Sequence, residues 1–242
     1  MSKIKQNIIL LTASIDPTAS NTPLTQLTNP QVRLKQYLVN INRLIESKAF
    51  DVIIFCENTN YSFDNALLME KAKSYNVHLE FLKFTGNYSK ISELGKGYGE
   101  GEIIKHTLEN SKYLNEDSVF YKLTGRVFVK NINRIVKKDG HKELIFIRAQ
   151  RAVPIIDARF FKTSVKFFKE NLIDAYKEVN DIKKNYLEMV YFNKLKKINN
   201  IERFAEYPKF TGLSGSTGEK YDQSRYEYAK YSLLLKLGFL NL

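Results

Sequence analysis

The chain has 242 residues, 43% of them hydrophobic, with 16 Phe and 15 Tyr, which is enough for one substantial core and too apolar for a disordered chain. A net charge of +12 points to an anionic partner or a solvated basic surface, the partners to consider being nucleic acid, nucleotide-sugar phosphates, acidic lipids and lipid-linked diphosphates. Cys56 is the only cysteine, so an internal disulfide is excluded and a reducing compartment fits, and no run approaches the roughly 20 apolar residues that span a bilayer.

Residues 7–13 form a continuous apolar run that reads as a strand buried on both faces. The lysines before it resemble the start of a signal peptide, but the run is short and enters Asp16-Pro17 without a small-residue cleavage site. A polar loop over 14–30 follows, then a helix over 32–45 with Leu34, Leu38, Ile41 and Ile45 on one face. Residues 52–55 read as a second buried strand ending at Cys56-Glu57-Asn58. Asp64 can cap a helix over 66–74, and 77–84 reads as a third strand. The glycine-rich stretch 95–101 is expected to lead into a helix ending near Ser111. A fourth strand enters at 119–121 and resumes at 127–129, with Lys122-Leu123-Thr124-Gly125-Arg126 between, and 143–148 is a fifth.

After residue 150 the pattern turns helical. Phe161, Val165, Phe168 and Leu172 are expected on one helix face, a second helix over 181–196, a glycine- and serine-rich loop over 212–218 and a last helix near 224–237. The βαβα order of the first half predicts a mostly parallel sheet with helices on both faces. No internal repeat or low-complexity linker divides the chain, so a single domain over 1–242 is expected.

Several familiar chemistries are excluded. The alternating glycines of 95–101 do not match G-x-G-x-x-G and lack a P-loop ending. His78, His106 and His141 are scattered without cysteine companions, so no zinc site is expected, and neither a G-x-S-x-G elbow nor a kinase catalytic loop is present. Polar clusters do lie at three expected strand ends, at 12–14, 57–59 and 122–126, where parallel α/β sheets bind ligands. A fourth, 95–102, approaches a helix N-terminus, where backbone N–H groups favour anions. Ordinary turn chemistry explains any one of these clusters, and four at one sheet edge less comfortably.

Leu11-Thr12-Ala13-Ser14-Ile15-Asp16-Pro17, Phe55-Cys56-Glu57-Asn58, Gly95 through Glu102 and Tyr121 through Arg126 together resemble a group of bacterial capsule and lipopolysaccharide (O-antigen) glycosyltransferases. The resemblance extends through Asp157-Ala158-Arg159-Phe160, Tyr186-Leu187-Glu188 and the loop 212–218. It implies a GT-A-like, Rossmann-related fold with a nucleotide-sugar-binding half over about 1–150 and an acceptor-binding, helical C-terminal half over about 151–242. It also implies a hexosyltransferase-type activity with a UDP-sugar as the expected donor, a glycan or lipid-linked glycan as acceptor, and a cytoplasmic location at the inner face of the membrane. In one respect the chain departs from the group. Most GT-A enzymes end the fourth strand on a metal-holding Asp-x-Asp, whereas Lys122 to Arg126 offers no carboxylate there. A guanidinium can take the metal's place on a diphosphate, so no cofactor and no divalent metal are expected, although a metal held elsewhere stays open.

Donor contacts are expected from Thr12, Ser14, Glu57, Asn58, Gly97, Gly99, Glu102, Lys122, Thr124 and Arg126. The diphosphate is further expected at Ser214, Gly215, Ser216, Thr217, Lys220 and Tyr221, where hydroxyl and N–H donors alternate. Glu57 has capping or surface roles as its alternative. For a general base, Glu188 stands first, a lone carboxylate among Leu187, Met189 and Val190, with a buried salt bridge as its alternative. Asp157, expected just before a helix, is second. The last helix combines Lys230 and Lys236 with Leu233, Leu234, Leu235 and Leu237, which suits either core packing or a peripheral contact with anionic membrane. A nucleotidyltransferase shares the same nucleotide-binding logic, and a basic nucleic-acid-binding protein explains charge and tyrosine but not the clusters at the strand ends; no nucleic-acid partner is expected.

Overall fold

The computed structural model describes residues 6–149, 153–213, 218 and 220–242. Four apolar segments, β1 (Ile8–Ala13), β2 (Val52–Glu57), β3 (His78–Lys83) and β4 (Val119–Thr124), form a parallel sheet in the order β3-β2-β1-β4. A fifth strand, β6 (Phe160–Ser164), closes the sheet antiparallel to β4. Successive strand residues point to opposite faces, so the sheet carries two cores. Ile9, Leu11, Ile53, Phe55, Tyr121 and Leu123 pack against α1 (Pro30–Ser47), α2 (Ala66–Ser74) and α5 (Ile132–Asp139). Ile8, Leu10, Ile54, Phe120 and Phe161 pack on the other face against α4 (Lys96–Asn110), α6 (Val165–Asn171) and α7 (Leu187–Leu195). This is the expected α/β architecture, a mostly parallel, Rossmann-like sheet between two helical layers.

Local chemistry sets the helix ends. The Asn29 side chain accepts from the amides of Gln31 and Val32 to start α1, where Pro30 needs no N–H donor. Asp64 accepts from the Ala66 amide ahead of α2. Ser224 and Glu227 make a capping box on α8 (Arg225–Lys236).

Five expectations need correction. The stretch 143–148 is not a strand, because its backbone is shared out: Ile145 pairs with Lys162, Phe146 donates to Glu202, Arg148 to Leu240, and Ile147 accepts from Asp157, so no continuous ladder forms. Phe161 does not share a helix face with Val165, Phe168 and Leu172; it lies in β6, with Phe160 and Phe161 feeding opposite cores, and Ser164 caps α6 after them. The helix expected from 181 begins only at Leu187, because Lys184 has φ of 61°, which no α-helix accommodates. Gly97, Gly99 and Gly101 lie inside α4 rather than in a loop before it, and only Gly95, at φ 105°, stands outside as its N-cap. Strand β4 runs on to Thr124, so Lys122 is a strand residue. Then β5 (Val127–Val129) leaves the main sheet to pair with β7 (Phe210–Gly212). Sequence reading missed α3 (Tyr88–Leu94), α5, β7 and the short 3-10 turn Ala175–Glu178 altogether.

Candidate functional site

The order β3-β2-β1-β4 reverses direction at β1, since β2 and β4 flank it on opposite sides. Such a switch point opens a crevice beyond the carboxyl ends of the strands. A cleft partly open to solvent lies there. Thr12, Ala13 and Ser14 line it from β1, Asn58 from the end of β2, and Thr124 and Arg126 from the end of β4. Helix α1 adds Arg33 and Tyr37, and α4 adds Lys96, Gly99, Glu100 and Ile103.

One wall is cationic. Arg126 and Arg33 are both buried, and among the described residues neither is in an ion pair with a carboxylate. Arg33 donates through Nε to the Ser14 carbonyl at 2.7 Å and through Nη1 to the Leu27 carbonyl at 2.9 Å, tying down the loop after β1. Arg126 donates to Gln36 Oε1 at 3.1 Å and lies 5.8 Å from the centre of the Tyr37 ring. Burial pushes the Tyr37 phenol up, but the guanidiniums of Arg33 and Arg126 outweigh it and hold the hydroxyl below its usual value. Burial lowers the Arg33 guanidinium, and Arg126 lowers it further. Two cations crowded at one cleft, neither in an ion pair with a carboxylate among the described residues, form a site that favours an anion.

The floor is a polar cluster. Thr12 and Thr124 are register partners on β1 and β4, and their hydroxyls donate to Glu100 Oε1 at 3.3 Å and 3.5 Å. Lys122, 1% exposed, forms a short ion pair with the same oxygen and donates to the Ala158 carbonyl at 2.7 Å. Asn58 lines the cleft from the end of β2 with Oδ1 buried and, among the described residues, without a hydrogen-bond partner, so an acceptor is open there. The glycines of α4 allow this close approach. A β-carbon on Gly99 would lie 2.9 Å from Asn58 Nδ2, and one on Gly101 would overlap Tyr176.

Other residues expected at the site do other work. The Glu57 carboxylate accepts from the Thr59 amide at 2.9 Å, the Thr59 hydroxyl at 2.6 Å and the Tyr61 amide at 2.6 Å, which organises the loop after β2. Burial pushes it up, and the Thr59 hydrogen bonds pull the other way. Glu102 accepts from the Asn87 amide at 3.1 Å at the start of α3. The N-terminus of α4, expected to attract a ligand's anion, is satisfied from within: Gly97 donates to Asp181 Oδ2 at 3.0 Å. Asp157 precedes β6, not a helix, and is held by Arg159 Nε at 2.8 Å and Nη2 at 2.7 Å. Arg159 in turn lies 4.0 Å over the Phe210 ring and 5.0 Å over Tyr221. Glu188, half-buried in the first turn of α7, is outside the cleft lining; burial raises its carboxyl, and Glu100 raises it further. Ser214, Gly215, Ser216 and Thr217 lie outside the described residues, and Lys220 is exposed.

Sequence reasoning missed Glu100, Arg33 and Tyr37. The signal for Glu100 was present: Lys96, Glu100, Ile103 and Thr107 share one face of a helix once the glycines are placed inside it. Arg33 and Tyr37, four apart in α1, share a face in the same way. Among the described residues no cluster of His, Cys, Asp and Glu could hold a metal ion, and no helix is long and apolar enough to cross a membrane.

No family model matches the chain, and no curated protein matches its sequence. Among solved structures it is similar to one solved as a glucose-1-phosphate thymidylyltransferase of Bacillus anthracis, at 11% identity and a TM-score of 0.48 over 95% of this chain and 94% of that one. A nucleotide-diphospho-sugar transferase of Desulfovibrio desulfuricans matches at 12% identity and a TM-score of 0.41, over 80% of this chain and 77% of that one. A nucleoside-diphosphate-sugar pyrophosphorylase of Vibrio cholerae matches at 12% identity and a TM-score of 0.44, over 78% and 88%.

Proposed function

We propose that the chain is a glycosyltransferase that takes a sugar from a nucleotide-sugar, with a UDP-sugar as the expected donor, and passes it to a glycan or lipid-linked glycan of the bacterial surface. The observation that carries this reading is the pair of buried guanidiniums, Arg33 and Arg126, at the switch-point cleft without a carboxylate partner among the described residues. A diphosphate leaving group gains negative charge as the glycosidic bond breaks, and fixed bidentate donors stabilise that charge without a metal. Asn58 Oδ1, a buried acceptor on the β2 side without a partner among the described residues, suits an N–H or O–H of the nucleoside. Thr12, Ser14 and Thr124 supply the strand-end polar contacts between the two. Lys122 serves from below, by holding Glu100.

Nucleotidyl transfer to a sugar phosphate is the second reading, because the guanidinium pair would serve a departing pyrophosphate equally well. The loop between β1 and α1 weighs against it. Residues 14–29 contain no glycine, lysine or arginine, so that loop brings neither a backbone cradle nor a cation to a triphosphate.

Incubation with a panel of nucleotide-sugars tests the assignment. Release of nucleoside diphosphate, undiminished by EDTA, is the expected result. Pyrophosphate release from a nucleoside triphosphate and a sugar 1-phosphate, with every nucleotide-sugar left intact, would establish the second reading instead.

A further inference from the structure

We infer that Glu100 is the general base that receives the acceptor's proton, an assignment that rests on the glycosyl-transfer reading above. Of the three carboxylates weighed for that role, Glu100 alone lines the cleft; Asp157 is clasped by Arg159 and Glu188 lies outside the lining. Its two oxygens have different surroundings. Oε1 is saturated by Lys122 and the hydroxyls of Thr12 and Thr124. Oε2 has no hydrogen-bond partner among the described residues, and the side chain, which lines the cleft, keeps 25% exposure. A carboxylate fixed through one oxygen and open at the other is oriented for proton transfer, since the geometry is set before the substrate arrives.

The anchoring parts are rigid. Lys122 sits within β4, held by the Ala158 carbonyl and Thr124 Oγ1. Helix α4 is driven against the sheet edge because Gly99 and Gly101 leave no β-carbon in the way of Asn58 and Tyr176. The guanidinium pair lines the same cleft, with Arg33 projecting from α1. Glu100, on α4, and the cationic wall therefore border one space from different elements, as a displacement needs: the base near the incoming hydroxyl, the cations at the departing diphosphate.

In the step itself, the acceptor hydroxyl oxygen bonds to the anomeric carbon while its proton passes to Glu100 Oε2. The bond from that carbon to the diphosphate oxygen breaks, and its electron pair leaves on the nucleoside diphosphate. A single displacement of this kind inverts the anomeric configuration.

The test uses the full chain, the nucleotide-sugar identified by turnover, water as acceptor, and UDP as the binding probe. Glu100→Gln should lower hydrolysis by about 10²–10⁴-fold while leaving the Kd for UDP within about threefold. Because Glu100→Gln leaves Lys122 buried without its partner, the E100Q/K122M double variant removes the stranded charge; a restored Tm with activity still lost separates chemistry from folding. Formate should restore part of the rate in Glu100→Ala, and the product should have the anomeric configuration opposite to that of the donor. A folded Glu100→Gln enzyme within tenfold of wild-type turnover, or one that loses UDP binding in step with rate, would overturn the assignment and leave the glycosyl-transfer reading standing. A wild-type enzyme that turns over no nucleotide-sugar would instead remove that reading and the base with it.

Discussion

Arg126 and Arg33 line the same cleft but are anchored differently, and that difference predicts how their variants diverge. Arg126 donates to the neutral amide of Gln36, and among the described residues it makes no ion pair with a carboxylate. On the proposed reading, Arg126→Ala should remove a contact to the donor diphosphate worth about 1.5–3 kcal/mol, which is about a 10- to 150-fold loss in affinity. On the side of the fold, it loses that hydrogen bond and the contact with Tyr37, about 1–2 kcal/mol, part of which is returned because Arg33 no longer faces a second buried cation. Arg33→Ala loses the same class of ligand contact and also releases the carbonyls of Ser14 and Leu27, so its Tm should fall further than that of Arg126→Ala. Calorimetric titration of UDP and of inorganic pyrophosphate, with melting curves on the same preparations, measures both effects. The double variant should lose less affinity than the sum of the singles if one diphosphate bridges the two guanidiniums, because groups sharing a ligand couple. A well-folded Arg126→Ala protein that binds UDP and pyrophosphate like wild type would refute the anion-site argument.

Three further outcomes follow from particular residues. Burial, then Glu100, raises the Glu188 carboxyl in the folded state, so the wild type loses stability as pH rises from the unfolded carboxylate value toward the folded one; Glu188→Gln should abolish that loss and raise Tm at neutral pH, whereas a 10²–10⁴-fold fall in turnover would return the base role to Glu188. Gly101→Ala places a β-carbon on Tyr176 and should destabilise the fold by about 1–3 kcal/mol, read as a lowered denaturation midpoint; an unchanged midpoint would mean that α4 is not seated as described. The outer side of α8 exposes Tyr226, Leu233 and Leu237 beside Lys230 and Lys236, while Leu235 packs inward, so co-sedimentation with anionic vesicles in low salt and release in high salt are expected; no sedimentation in either condition would leave α8 to packing alone.

The parallel strands were legible because their signal is local. Continuous apolar runs such as Ile8–Ala13 and Val52–Glu57 can be satisfied only by burial on both faces, and βαβ order brings their polar ends to one edge. That alone pointed to Thr12, Ser14, Asn58, Thr124 and Arg126 as residues of one cleft. The second half was harder to read, because short apolar stretches suit helix and strand alike: Phe160–Ser164 became a strand only because the edge of β4 was open to pair with it. Roles within the cleft were beyond the sequence for a related reason. Glu57 and Glu100 are both glutamates beside strand ends or glycines, yet the three donors around Glu57 come from its own loop, while Glu100 receives Thr12 and Lys122 from strands 88 and 22 residues away in the chain. Residue type and period determined which positions are buried and where the strands end. Which carboxylate is consumed by its own turn, and which is left facing a cationic wall, depends on contacts between distant segments, and only the packing of α4 against β1 and β4 decided that.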